Sequence, residues 1–182
     1  MKQTVRIIGG RYRGKKLSFP DIEGLRPTPD RVKETLFNWL MHDIRGAHCL
    51  DAFAGSGALG FEAYSRGAER VVLVESSLKV FLNLKQIASS FNSPAALTVI
   101  HSDAQEYLLK SSECFDIIFL DPPFAKNYLP ECLHLLSHSN LLVPGGLVYL
   151  ESPDKLPLDP AFWNEKKSKQ AGQVTYGLYE KN

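Results

Sequence analysis

Phe115-Asp116-Ile117-Ile118-Phe119-Leu120-Asp121-Pro122-Pro123-Phe124 is the stretch around which the rest of the chain is organised. Its first six residues are almost continuously apolar, β-branched or aromatic, the composition of a strand buried on both faces. Pro122 and Pro123 then end the ladder, because neither has a backbone N–H to donate. Asp121 is thereby expected at the carboxyl end of a central strand, where open α/β sheets bind their ligands. A carboxylate and the Pro122 carbonyl beside the flat ring of Phe124 suit a planar base with an exocyclic amino group. The acceptors take the amine hydrogens and the ring stacks on the base. Asp-Pro and Pro-Pro are also common loop dipeptides, so this reading needs support from elsewhere in the chain.

Upstream and downstream of this stretch, strands and helices alternate. Strands are expected over Cys49–Phe53, Arg70–Glu75, Leu97–Ile100, Phe115–Leu120 and Leu147–Glu151. Helices are expected after the run Ala54–Gly60 through Arg66, and over Leu78–Phe91, Ala104–Lys110 and Tyr128–Ser137. Repeated β–α units of this length imply an α/β, doubly wound, mostly parallel, Rossmann-like sheet. Trp163–Lys169 and Gln173–Glu180 flank Ala171-Gly172 and are expected to pair as an antiparallel hairpin at the sheet edge.

The first 45 residues differ in character. Gln3–Ile8 and Lys15–Phe19 are expected to form a hairpin around Gly9–Gly14. Thr28 is expected to cap a helix with Pro29 at its first position. That helix runs to about Met41 with an apolar stripe of Val32, Leu36, Trp39 and Leu40. Arg26 and Arg31 bracket its start, either as surface charge or as groups that help close a ligand site. The expected division is a basic N-terminal extension over 1–45 and a catalytic domain over 46–182.

Charge is distributed unevenly. The chain has 21 basic and 20 acidic residues among 182. Six of the basic ones (Lys2, Arg6, Arg11, Arg13, Lys15, Lys16) fall in the first 20 residues, which contain no acid. A basic arm on a mildly acidic body points to a polyanion held at one end. Arg6, Arg11, Arg13, Lys15 and Lys16 would contact phosphates, and Tyr12 would stack on a base. No apolar run is long enough to span a membrane. Cys49, Cys114 and Cys132 are odd in number and form no Cys-x-x-Cys pair, which fits a reducing cytoplasm better than a disulfide framework. Cys114 and Cys132 are expected to be packing residues, and Tyr149 and Trp163 core or edge aromatics.

Gly55-x-Gly57-x-x-Gly60 follows a strand and opens a helix, as a nucleotide fingerprint requires. Asp51 precedes it at the strand's end. Glu75 ends the next strand, placed to accept both hydroxyls of a ribose. Asp103 ends the third, where the adenine of a bound nucleoside would lie. With Asp121 these acids form one rim. The rim repels a pyrophosphate but suits the ammonium and sulfonium charges of S-adenosylmethionine.

Asp51-Ala52-Phe53-Ala54-Gly55-Ser56-Gly57 resembles motif I of class I methyltransferases, and Asp121-Pro122-Pro123-Phe124 resembles motif IV of those that methylate exocyclic base nitrogens. Further stretches resemble the bacterial RsmD family of 16S ribosomal RNA guanine-N2 methyltransferases. They are Arg6–Gly10, Leu25–Thr28, Arg31–Leu40 and Ala171–Val174. The resemblance implies a seven-stranded fold, S-adenosylmethionine as cofactor with S-adenosylhomocysteine as product, and a guanine of the small ribosomal subunit or its assembly intermediate as target. It implies a catalytic set of Asp121, Pro122, Pro123 and Phe124. The expected cofactor contacts are Thr28, Arg31, Asp51, Ala54, Gly55, Gly57, Glu75, Asp103 and Ala104. A cytoplasmic monomer without metal is expected: His134 and His138 have helical i, i+4 spacing but no third ligand in a metal motif. Two other readings use the same motifs. DNA adenine-N6 methylation shares the exocyclic amine, although 182 residues leave little room for a target-recognition domain. A nucleotide-binding module or nicotinamide dehydrogenase would use the Gly loop but gives no role to the Pro-Pro turn.

Overall fold

The computed structural model describes residues 1–123 and 126–182. The chain opens with an antiparallel hairpin of β1 (Lys2–Arg6) and β2 (Lys16–Pro20), followed by α1 (Asp30–Trp39). Alternation then begins with β3 (His48–Asp51), α2 (Ala58–Ser65), β4 (Arg70–Glu75), α3 (Leu78–Ser89) and β5 (Leu97–His101). It continues through α4 (Ala104–Lys110), β6 (Phe115–Leu120), α5 (Leu129–Ser137) and β7 (Leu142–Ser152). The chain closes with β8 (Trp163–Ala171) and β9 (Val174–Lys181).

Seven strands form one sheet in the order β5-β4-β3-β6-β7-β9-β8. The first five in that order are parallel, and β9 runs antiparallel to both β7 and β8. The sequence builds outward from β3 to β5, then returns to place β6 on the other side of β3. Strand order therefore reverses between β3 and β6, and the crevice at their carboxyl ends is where such a sheet binds ligands. Asp51 ends β3 and Asp121 follows β6, so both acids stand at that switch point.

The central strands are apolar on both faces because both faces are covered. One core joins the hairpin, α1, α2 and α3 to the sheet through Phe19, Leu36, Phe61 and Leu84, among others. The other face packs α4 and α5 through Leu108, Leu133 and Leu136. The N-terminal hairpin is thus not a loose arm: Val5, Ile7, Leu17 and Phe19 are buried in the same core as β3 and β4. The hairpin also takes a hydrogen bond from α3, where Asn83 Nδ2 donates to the Ser18 carbonyl at 3.0 Å.

Several local expectations are corrected. Thr28 does not cap α1: Pro29 holds the cap position with an extended ψ of 147°, and no side chain caps the helix. The Thr28 hydroxyl instead donates to a carboxylate across the crevice. α1 ends at Trp39 rather than Met41, and its buried face includes Lys33 and Phe37 while Trp39 is half-buried. α2 starts at Ala58, so Gly60 lies inside it. β7 begins at Leu142, five residues early, with a register shift opposite Phe115 and Ile117 that accommodates Pro144-Gly145-Gly146. Cys114 is exposed in the loop before β6 and is not a packing residue, whereas Cys49 and Cys132 are buried. Among the described residues no helix is long and apolar enough to cross a membrane.

Candidate active site

The loop between β3 and α2 is shaped by its glycines. Gly57 has φ 81°, and a Cβ there would lie 2.3 Å from the Phe61 ring, so both backbone and space demand glycine. Gly60 packs α2 against β4, where a Cβ would meet Leu73 at 2.8 Å. Its N–H donates to Asp51 Oδ2 at 3.0 Å. Asp51 is only 1% exposed, and its Oδ1 has no hydrogen-bond partner among the described residues. Burial raises its pKa to about 7, opposed by the Gly60 bond and aided by the charge on Glu75. An uncompensated buried acceptor of this kind calls for a donor, and a cation would satisfy it best.

Glu75 is held by both oxygens. Oε2 accepts the Gly55 N–H at 2.9 Å and Oε1 accepts the Ser77 N–H at 3.0 Å. Each carboxylate oxygen keeps acceptor capacity for a ligand hydroxyl. The Gly55 bond also decides against a dinucleotide: the N–H that would face a pyrophosphate is donated to a carboxylate instead. The Ser102 N–H donates to the Glu75 carbonyl at 3.1 Å and draws the end of β5 to this rim. Asp103 follows, exposed, and Ala104 is buried at the start of α4.

The segment between hairpin and α1 lies across this loop. A Cβ on Gly55 would come within 2.9 Å of Leu25 Cδ1. Thr28, buried, donates from Oγ1 to Asp121 Oδ2 at 3.4 Å. Arg31 is exposed on the first turn of α1. Leu25 was not among the expected contacts, because an apolar residue in a loop carries no chemical signal of its own.

Asp121 is half-buried and Pro122 buried. Phe124, expected to stack on a base, lies outside the described residues. Beyond Asp121 stands an acid with no expected role. Leu120 pairs with Leu150 in parallel register, which brings Asp121 and Glu151 side by side at the ends of adjacent strands. Tyr149 Oη donates to Glu151 Oε1 at 2.5 Å. Burial holds the Asp121 carboxyl well above the ordinary carboxylate range, with the Glu151 charge and a hydrogen bond to Glu151 adding to it. Asp51 pushes the same way and the Thr28 hydroxyl opposes. A cleft of about 280 Å³ opens beside the turn, lined by Pro122, Pro123, Tyr128, Glu151 and Leu156. The signal that singled out Glu75, an acid ending a strand, was present at Glu151 as well.

The basic arm is anchored by a buried charge cluster. Lys33, 1% exposed, donates to the Arg6 carbonyl at 2.7 Å and lies 3.5 Å from Glu62, itself fully buried. Glu62 accepts the N–H groups of Ile8 and Gly9 at 3.0 Å each and pairs with Arg66 at 2.9 Å. Arg11 and Tyr12 therefore sit at the last turn of α2, where Arg11 N–H meets the Ser65 carbonyl. That is the end of the helix remote from the Gly loop. The Tyr12 ring packs on Tyr64 and Phe91, and Arg11 lies over the Tyr12 and Tyr64 rings. Lys15 lies over Phe91. Arg6, Arg13 and Lys16 are exposed. A larger cleft of about 740 Å³, bordered by Arg11, Arg45 and Arg66, lies at this lower end and not at the carboxyl edge. His134 and His138 have rings 4.3 Å apart, and no group of three or more metal-ligating side chains occurs among the described residues.

The family model described as conserved hypothetical protein 95 matches residues 5–180. Ribosomal RNA small subunit methyltransferase D of Escherichia coli strain K12 is 45% identical over 179 residues, 97% of this chain and 90% of that protein. The protein of the same name from Haemophilus influenzae is 45% identical over 183 residues, 98% of this chain and 95% of its own. A solved Escherichia coli chain, yhhF, superposes with a TM-score of 0.91 at 44% identity and covers 99% of both chains.

Proposed function

The chain belongs to the family described as conserved hypothetical protein 95, the RsmD family, and from that membership we propose that it transfers a methyl group from S-adenosylmethionine to the exocyclic N2 of a guanine in 16S ribosomal RNA. The observation that carries the reading is the meeting of two acidic features at one switch point. One is the Gly loop, whose Gly55 N–H is donated to Glu75. The other is Asp121 on its Pro-Pro turn.

The residues present fit the cofactor. Glu75 would accept the ribose hydroxyls, Asp51 would face the ammonium with its unpartnered Oδ1, and Gly55 and Gly57 would leave room for the chain of the ligand. Asp103 and Ala104 would border the adenine, and Thr28 and Arg31 would close the lip with Ala54. When bound, the cofactor supplies an electrophilic methyl on a sulfonium centre. The protein's part is to prepare the nucleophile. A guanine N2 lone pair is delocalised into the ring, so the amine is a poor nucleophile. Asp121 and the Pro122 carbonyl accept its two hydrogens, which favours a pyramidal nitrogen and aims its lone pair along the line of transfer. Positive charge grows on nitrogen during transfer, the Asp121 carboxylate stabilises it, and the proton the nitrogen then sheds leaves along the same hydrogen bond to Asp121 and on to water. Phe124 would hold the base by stacking, an interaction worth roughly 1–3 kcal/mol. Exposed Arg6, Arg13 and Lys16, with Arg11 and Lys15 on their aromatic supports, would carry the phosphate backbone. The segment 1–45 would thus hold RNA while 46–182 performs the transfer.

The test is tritium transfer from labelled cofactor to small subunits, naked 16S RNA and DNA in parallel. Label is expected in ribosomal RNA, with N2-methylguanosine after digestion. Label in DNA, or on adenine N6, would replace this reading with the adenine one.

A further inference from the structure

We infer that Glu151 selects the target base: its carboxylate accepts the N1–H of guanine while Asp121 accepts a hydrogen of the neighbouring exocyclic amine. The inference rests on the proposed methyl transfer and adds the residue that tells guanine from the other amino-bearing bases.

Asp121 and Glu151 stand at the ends of paired parallel strands, one residue beyond the Leu120–Leu150 pair. Glu151 lines the cleft together with Pro122 and Pro123, the two residues that follow Asp121. Ionised carboxylates only accept. The base edge that suits two adjacent acceptors must offer two adjacent donors. Guanine does so, with N1–H beside the N2 amine. Adenine sets its N6 amine beside an N1 lone pair, and cytosine its N4 amine beside an N3 lone pair. Either would place a lone pair against the Glu151 carboxylate, and an unmatched buried polar pair is what discriminates most strongly in binding sites.

Glu151 is also prepared for this task. The Tyr149 hydroxyl fixes Oε1 at 2.5 Å and leaves the second oxygen for a ligand. Tyr149 is fully buried, packed against Phe119 and Tyr176, so the anchor does not move. The two carboxyls are neighbours with Thr28 and Asp51 beside them, and Asp121 holds a proton more tightly than an ordinary carboxyl. The two N–H donors of guanine replace that proton.

The experiment compares guanine with 2-aminopurine at the accepting position. 2-Aminopurine keeps the exocyclic amine but carries a lone pair on N1. The accepting nucleotide is mapped with the wild-type protein, and small subunits are then reconstituted with either base there. Wild type should favour guanine on the order of 10²-fold or more in kcat/KM. Glu151→Gln should narrow that ratio at least about tenfold, because Tyr149 holds the amide oxygen and turns the amide N–H₂ toward N1. Cofactor affinity should not change. An unchanged ratio, or an equal loss on both substrates, overturns the inference. A second arm needs no turnover: filter binding of both RNAs with saturating S-adenosylhomocysteine should show the same narrowing, and equal relative affinities in the two proteins also overturn it. Failure of the wild type to label guanine particles counts against the proposed function, whereas the ratio reports on Glu151 alone.

Discussion

The Thr28 hydroxyl donates to Asp121 Oδ2 at 3.4 Å across a sequence separation of 93 residues. The contact joins the N-terminal extension to the turn after β6, and it acts against the burial and the Glu151 charge that hold the Asp121 proton on. Removing the hydroxyl should therefore raise the Asp121 pKa further.

In the proposed mechanism Asp121 accepts as a carboxylate, so the rate should rise as pH climbs through its raised pKa. Thr28→Val should move this acid limb to higher pH, with the largest loss at low pH and near recovery at high pH. Thr28→Ser should keep the wild-type profile. A uniform loss at all pH values would show that Thr28 acts only through packing.

Glu75 is tied down by two backbone N–H groups and still offers acceptor capacity. Glu75→Ala should weaken S-adenosylhomocysteine by about 1.5–3 kcal/mol for each charge-assisted bond lost. Calorimetry measures this directly, and an unchanged dissociation constant would remove Glu75 from the cofactor site.

Lys33 and Glu62 form a buried pair that fastens the hairpin to α2. Lys33→Met leaves Glu62 with Arg66 but removes the bond to the Arg6 carbonyl. Breaking a buried pair on one side costs about 3–5 kcal/mol, so urea unfolding should shift by an amount of that order. A change below about 1 kcal/mol would place this pair with surface ion pairs in energy.

What was legible in the sequence follows from chemistry that repeats. β6 and its Pro-Pro end, the Gly loop, and the acids ending β3, β4 and β5 each carry a local signal, and the strands fall close to where periodicity puts them. Lys33 did not, because a lysine on a helix reads as a solvated charge until the Arg6 carbonyl and Glu62 are seen around it. Thr28 looked like a helix cap because the sequence shows its neighbours Pro29 and Asp30 and not Asp121. Glu151 ends an expected strand, but its meaning comes from the register that sets it beside Asp121. Tyr12 looked like a free stacking platform, and only the fold shows Tyr64 and Phe91 against its ring.

The arm gives a prediction separable from the site. Arg13→Ala with Lys16→Ala removes two exposed charges and should lower RNA affinity, flatten its dependence on log salt by up to about two units, and leave cofactor affinity unchanged. Filter binding across a salt series measures it, and an unaltered slope would show that these charges do not meet phosphates.

In the proposed mechanism Asp121 stabilises an amine that gains charge as the methyl moves, an interaction made chiefly in the transition state. Single-turnover methylation of small subunits at saturating cofactor and RNA tests it. Asp121→Ala should lose on the order of 10²-fold or more in rate, and Asp121→Asn less, because its amide oxygen still accepts a hydrogen bond. Cofactor affinity should change little in either. An alanine variant that transfers the methyl at nearly the wild-type rate would contradict the account.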